Sequence, residues 1–275
     1  MQFYANYCNI LQIIILFANF ASKLLQMLKE ERFDFILNKL KLNRLVKLNE
    51  LSKDLQVSED TVRRDIESLS KNGLLLKVRG GAIPHSPNAH SFKERIHVSE
   101  QNKELIASKA LELLESNQTI LLDGGTTTYT LAALLPKDLP ITVVTNNIPI
   151  AALLMEHPTA NVIVSGGKVF KDSQVTIGME AIHLLQNIRV DICFVGVCSI
   201  HHEIGVSTVD YDEAEVKRVM IQSANRVVAV TTHDKIGTAE SYKVCDISVL
   251  DSIITDRDTD DVLFEPYKEL KIKII

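Results

Sequence analysis

The chain has 275 residues, of which 46% are hydrophobic and 24% charged, with a formal net charge of −5. That balance supports a real apolar core and excludes wholesale disorder, and the length suits two domains. Cys8, Cys193, Cys198 and Cys245 form no CxxC pair and no zinc-type His/Cys spacing, so no metal or cofactor is expected. Cys193 and Cys198 sit in an apolar run and read as buried free thiols of a reducing cytoplasm. The charge is unevenly placed: residues 27–90 carry a net +3 and residues 91–275 a net −9. A basic front on an acidic body fits a nucleic-acid-binding head on a soluble partner domain.

Residues 1–26 form an atypical apolar extension. The run ILQIIILFANFA, residues 10–21, is shorter than the roughly 20 residues of a membrane span and is interrupted by Gln12 and Asn19. No Lys or Arg precedes Ile10, so a secretory signal is disfavoured. Either an added start or an extra helix accounts for the segment; a membrane anchor is the rival reading.

A head is expected over residues 27–83. Phe33, Ile36, Leu37 and Leu40 recur at helical spacing within Glu31–Leu42, and Leu48, Leu51 and Leu55 share one face of a second, short helix. After the polar turn QVS, Ser58 is a fitting N-cap, and a third helix runs to about Asn72, where Gly73 stops it. On a helical wheel Val62, Ile66 and Leu69 form one stripe, Asp60, Thr61, Arg64 and Lys71 point away from it, and Arg63 sits on the flank. A helix with an apolar back and Thr and Arg on its outer face can enter a major groove, because Arg can bond a guanine edge with both fork nitrogens. LLLKVRGGAI then reads as two short strands around a turn, a wing that places Lys77 and Arg79 on phosphate. The DNA-contacting set is therefore Ser58, Thr61, Arg63, Arg64, Lys71, Lys77 and Arg79. A three-helix module for protein contacts is the plainer alternative.

Residues 84–92, PHSPNAHSF, are polar with two prolines and read as a linker. Beyond it, strands are expected at Thr119–Leu122, Ile141–Thr145, Asn161–Val164, Asp191–Val197, Val227–Thr231 and Ile247–Leu250. They alternate with helices at Lys103–Leu114, Thr127–Leu135, Ile148–Met155, Ala181–Gln186 and Asp212–Ser223. Such alternation predicts a mostly parallel α/β sheet over residues 93–275, with ligand loops at the carboxyl ends of its strands.

The strongest such loop is DGGTTTY, residues 123–129. Gly124 and Gly125 let the backbone turn, while Thr126, Thr127, Thr128 and the start of a helix offer hydroxyls and free N–H groups to a phosphate. An ordinary strand-to-helix turn with Thr caps would look the same. Asn146 and Asn147 end the second strand, and Gly166 and Gly167 end the third. Glu213 and Lys217 are an i,i+4 pair, serving a ligand or simply a helix salt bridge. Lys235, after the fifth strand, either reaches an anion or is solvated. With Asp123 these complete the candidate effector site.

The sequence VSEDTVRRDIESLSKNGLLLKVRGGA resembles the DeoR family of regulators, above all in VS-x-x-TVRRD-I and the RGGA ending. From about residue 91 to 256 the stretches LLDGGTTTY, VVTNN, IVSGG, DICFVG, EAEVKR and ITD resemble that family's sensor domain, which is similar to ribose-5-phosphate isomerase. The chain departs from the family pattern at Thr232, where many members carry Asp, and at Ser199, where Gly is frequent. The resemblance implies a winged helix-turn-helix followed by a mostly parallel α/β sensor domain. It implies a cytoplasmic repressor of sugar or polyol genes that binds a double-stranded DNA operator and is released by a phosphorylated sugar on the Asp123–Thr128 loop. Operator symmetry adds a dimer or tetramer. A sugar-phosphate isomerase-like enzyme with a DNA-binding head is the alternative, since Asp123, Glu213 and Lys217 could be recruited as acid and base. A fused DNA-reading head argues against a catalyst.

Overall fold

The computed structural model describes residues 27–87 and 91–275; the apolar extension lies outside the described residues. The chain divides into two compact units, the first ending at Pro84 and the second running over His85–Ile275.

In the first unit, helix α1 (Lys29–Asn43) is followed by strand β1 (Val46–Lys47), helices α2 (Leu48–Leu55) and α3 (Glu59–Lys71), and the hairpin of β2 (Leu76–Val78) and β3 (Gly81–Ile83). The Ser58 side chain accepts from Thr61 N and caps α3, as the QVS turn predicts. Ile36 and Leu40 of α1, Leu51 and Leu55 of α2, and Val62, Ile66 and Leu69 of α3 form one buried cluster. The three strands pair antiparallel in the order β1-β3-β2. The paired glycines of RGGA have separate reasons. Gly80 has φ +83 at the hairpin turn, and a Cβ on Gly81 would lie 1.9 Å from the Val46 carbonyl oxygen, so β1 and β3 approach only across glycine.

A buried ion pair ties α1 to α3. Arg32 Nε donates to Asp65 Oδ2 at 2.7 Å and Nη2 to Oδ1 at 3.1 Å, while Nη1 donates to the Met27 carbonyl at 3.0 Å. Asp65 of TVRRD thus faces inward, its fork-on-fork partner satisfying both oxygens.

The second unit opens with helices α4 (Phe92–Arg95) and α5 (Glu100–Leu111). The chain then runs through β4 (Thr119–Leu122), α6 (Thr126–Ala133), β5 (Ile141–Thr145), α7 (Ile148–Leu154), β6 (Ala160–Val164), β7 (Lys168–Phe170), β8 (Val175–Ile177) and α8 (Met179–Gln186). It continues through β9 (Val190–Gly196), β10 (Ser199–His201), β11 (Gly205–Thr208), α9 (Tyr211–Gln222), β12 (Ala224–Val230), β13 (Tyr242–Cys245), β14 (Ser252–Ile254), α10 (Glu265–Lys268) and β15 (Lys273–Ile274). Seven strands form one sheet in the order β15-β14-β12-β9-β4-β5-β6, all parallel. Its two faces are separate cores. Ile120 and Leu122 of β4 pack with α5, α6 and α7, while Leu121 between them packs with α8 and α9, the two-sided burial of a parallel sheet.

Two expectations are corrected. Ile247–Leu250 is a 3-10 turn over Ile247–Val249, and the strand is β14. Ile247 and Leu250 are buried while Ser248 and Val249 are exposed, a spacing of three that fits the 3-10 turn and that a four-residue segment with three apolar residues does not reveal. The linker is also partly packed. Ser86 N donates to Glu240 Oε1 at 2.8 Å, Ser86 Oγ to the Cys198 carbonyl at 2.6 Å, and His85 Nδ1 lies 3.0 Å from Glu240 Oε2; Phe92 already opens α4.

Asp65→Ala would leave the half-buried Arg32 guanidinium without its counter-charge. Losing charge-assisted hydrogen bonds of this kind costs roughly 1.5–3 kcal/mol, so the head's thermal transition is expected to fall while that of the second unit stays in place, as followed by circular dichroism and calorimetry of the full chain.

Candidate functional site

On the head, Arg63, Arg64, Lys71, Lys77 and Arg79 are all exposed. A groove of about 530 Å³ between α3 and the wing is lined by Lys47, Arg63, Lys77 and Arg79, so four cations converge on one channel. Lys47 was not legible as one of them, since β1 is two residues long. Arg63 holds Asp60 at 3.1 Å, and Lys77 pairs with Glu67; both pairs are solvent-facing and exchangeable for phosphate. Ser58 and Thr61 spend their hydroxyls on each other, 2.9 Å apart, at the helix cap. That pins the front of α3, and any contact of theirs with a base competes with the cap.

In the second unit the strand order makes the site. From β4 the chain steps outward through β5 and β6, then returns to the other side of β4 with β9 and continues through β12, β14 and β15. The loops leaving β4 and β9 therefore diverge, and a crevice opens between them at the carboxyl edge, the place where open α/β sheets take ligands. A cleft of about 470 Å³ lies there, lined by Gly124–Thr127 after β4, Gly196–Cys198 after β9, Glu213 and Lys217 of α9, and Lys235.

Asp123, almost wholly buried, clamps the two loops together. Its Oδ1 accepts from Gly124 N at 2.7 Å and its Oδ2 from Gly196 N at 2.9 Å, and Oδ2 also takes Lys217 Nζ. Lys217 donates further to the Gly196 carbonyl at 3.0 Å. A side chain on Gly124 would lie 2.1 Å from Val175 Cγ1, which explains the first glycine of DGG. Helix α6 begins at Thr126, presenting its first-turn amides to the cleft.

Gly124, Gly125, Thr126, Thr127, Glu213, Lys217 and Lys235 come together as expected. Six residues do not line the cleft. Thr128 donates Oγ1 to the Gly125 carbonyl at 2.9 Å inside its own helix. Asn146 Nδ2 bonds the Thr176 carbonyl at 3.2 Å, and Asn147 caps α7 by accepting Ile150 N at 2.9 Å. Gly166 and Gly167 lie in an exposed turn into β7. Asp123 is behind the wall rather than on it. The i,i+4 partnership of Glu213 with Lys217 is also replaced: the ammonium pairs with Asp123, 94 residues away. Sequence reading missed Arg95, which lines this cleft from a short helix that begins at the last residue of the expected linker.

The buried charges are uneven. Burial pushes the Glu213 carboxyl up, partly offset by Lys217. Burial opposes the Lys217 charge, yet Asp123 and Glu213 together hold its pKa above the ordinary value. Lys235 donates to the Val197 carbonyl at 3.0 Å, and burial pulls its pKa down to about 8. His201, His202 and Glu203 bring ligand-type atoms within 4.8 Å, but the two rings stack at 4.3 Å with 26° between planes. Near-parallel rings do not converge both lone pairs on one ion.

Lys235 sets a pH dependence. Its ammonium is present below about 8 and lost above it, so an anion bound in the cleft is expected to dissociate more readily as pH rises through that value; calorimetric titration with inorganic phosphate at pH 7 and 9 measures it. Because the unfolded side chain keeps its proton to higher pH, the same group makes the fold more stable as pH rises from about 8 towards 10.5.

Two family domains match the chain: a DeoR-like helix-turn-helix domain over residues 32–87 and a DeoR C-terminal sensor domain over residues 98–257. The HTH-type transcriptional regulator GolR of Listeria innocua is 32% identical over 89% of this chain and 98% of its own length. The HTH-type transcriptional repressor GlcR of Bacillus subtilis is 32% identical over 84% of this chain and 90% of its own. The glycerol-3-phosphate regulon repressor of Escherichia coli is 29% identical over 84% of this chain and 92% of its own. Among solved structures, a D-ribose-5-phosphate isomerase in complex with phospho-erythronic acid aligns with half of this chain and 53% of its own at a TM-score of 0.38 and 17% identity. The chain belongs to the DeoR family of transcriptional regulators.

Proposed function

We propose that this regulator is a DNA-binding repressor released by a phosphorylated sugar or polyol held in the switch-point cleft. The observation that carries the reading is the junction of β4 and β9, where the free amides of α6 meet the ammonium groups of Lys217 and Lys235. Helix start, hydroxyls and cations all favour a phosphate. That one relative is named for a glycerol-3-phosphate regulon supports the same ligand chemistry. An isomerase reading is disfavoured, because Asp123 spends its oxygens on two amides and Lys217 and does not line the cleft.

The head reads DNA with α3 in the major groove, Arg64 on a base edge and Lys47, Lys77 and Arg79 on phosphates. A single small head buries little DNA, so a dimer or tetramer on repeated half-sites supplies the affinity. No described helix is long and apolar enough to cross a membrane, and a cytoplasmic regulator fits that.

Arg64→Ala is expected to cost about 1–3 kcal/mol on the operator and to relax base preference there. Lys77→Ala is expected to weaken all sequences alike and flatten the salt dependence. Gel shifts on selected and random DNA separate the two. Release is tested by titrating operator-bound protein with sugar phosphates and their unphosphorylated parents, the phosphates acting and the parents not. Thr126→Ala and Lys235→Met are expected to blunt release. They are the better variants, because Lys217→Ala would leave Asp123 buried without its cation.

A further inference from the structure

Helix α4 is four residues long, too short to hold itself, yet it is anchored at both ends. At its start, Ser91 and Glu94 form a reciprocal capping box, and Phe92 N donates to the Asp172 carbonyl at 2.7 Å. The Phe92 ring is buried edge-on against Tyr129, with centroids 5.9 Å apart. At its end, the buried Lys103 donates to the carbonyls of Arg95 and Ile96, at 2.5 and 3.1 Å. Lys103 stabilises the negative end of the short helix rather than meeting ligand with its full charge.

These anchors fix Arg95 at the border of two hollows. It lines the main cleft and also a smaller one of about 160 Å³ whose wall includes Ser99, Lys103, Thr232 and Asp234; Thr126 and Lys235 line both. Arg95 Nε is buried and has no hydrogen-bond partner among the described residues, and neither has the buried Oδ1 of Asp234. An orphan donor and an orphan acceptor thus share one small polar hollow, beside a lysine that donates to one carbonyl. Buried polar atoms without partners are costly and point to a group that completes them.

We propose that Arg95, with Lys235 and the amide end of α6, forms the anion subsite of the effector cleft, and that Asp234 accepts a hydroxyl of the same ligand in the side hollow. The ligand class is a phosphate monoester of a polyhydroxylated carbon chain. A bare phosphate fills the cationic half, and the hydroxyl fills the other. Arg presents a planar fork that lysine does not reproduce. This assignment rests on the effector reading above and adds the residues that recognise charge and hydroxyl separately.

The test is calorimetric titration of the full chain with inorganic phosphate and with a panel of triose to hexose phosphates, set beside thermal melts of each ligand-free variant. Arg95→Gln is expected to weaken inorganic phosphate and the best-binding sugar phosphate at least tenfold, and Arg95→Lys to recover part of that loss. Asp234→Asn is expected to weaken the sugar phosphate several-fold while leaving inorganic phosphate as tight as in the wild type or tighter. Wild-type binding that Arg95→Gln leaves unchanged overturns the anion subsite and spares the effector reading. Equal losses of both ligands in Asp234→Asn overturn the hydroxyl assignment. If the wild type binds none of the panel, the effector reading fails, and this inference with it.

Discussion

The second unit depends on one buried carboxylate. In a doubly wound sheet the loops after the two central strands turn away from each other, which makes the crevice but leaves nothing in the backbone to hold its sides at a fixed width. Asp123 supplies that constraint by binding an amide of each loop, Gly124 N and Gly196 N, and the ammonium of Lys217. A carboxylate this deep is tolerable because both oxygens are satisfied and a counter-charge is attached. The same contacts aim Lys217 into the cleft and keep it protonated, so site geometry and site charge have one origin.

Lys217 consequently offers an incoming anion less than a free ammonium would, since Asp123 already shares its charge. Further attraction comes from the first turn of α6, from Arg95 at the edge of the cleft and from Lys235, whose charge burial has weakened. Under the phosphate reading proposed above, part of the positive charge of the cleft is thus already shared with Asp123 before a ligand arrives. The buried Glu213, its acid pushed up by burial, adds a group suited to hydroxyls more than to a second anion. The balance favours a ligand with one anionic end and a polar body.

Much of this was legible in the sequence. The short helix Leu48–Leu55 and the strands Thr119–Leu122 and Ile141–Thr145 stand where periodicity and turn residues put them, because each is governed by local chemistry and by burial on a regular repeat. The turn from β4 into α6 was legible for the same reason. What was not legible depends on residues distant in the chain. The i,i+4 rule joins Glu213 to Lys217, but Asp123 outcompetes it from 94 residues away. Asp65 reads as one more surface charge beside Arg63 and Arg64 until Arg32 meets it from α1. Arg95 is hidden in the polar stretch just after the expected linker because α4 exists through Asp172, Tyr129 and Lys103 rather than through its own four residues. TNN and SGG look like ligand loops because Asn and Gly serve caps and turns equally well.

The packed start of the joint bears on how a filled cleft can matter to DNA. Coupling requires that ligand bind one arrangement of the protein better than another; equal affinity for both shifts nothing. Cys198 lines the cleft, and its carbonyl accepts the Ser86 hydroxyl. Glu240 holds the Ser86 amide and faces His85, and its own amide accepts no freedom either, donating to Ser207 Oγ at 2.9 Å. The stretch through which the chain passes to the head is therefore bonded to the cleft wall itself. A ligand that moves the Gly196–Cys198 loop acts on the hydrogen bond between Ser86 and the Cys198 carbonyl. One that leaves that loop in place has no purchase on the joint by this route, however tightly it binds.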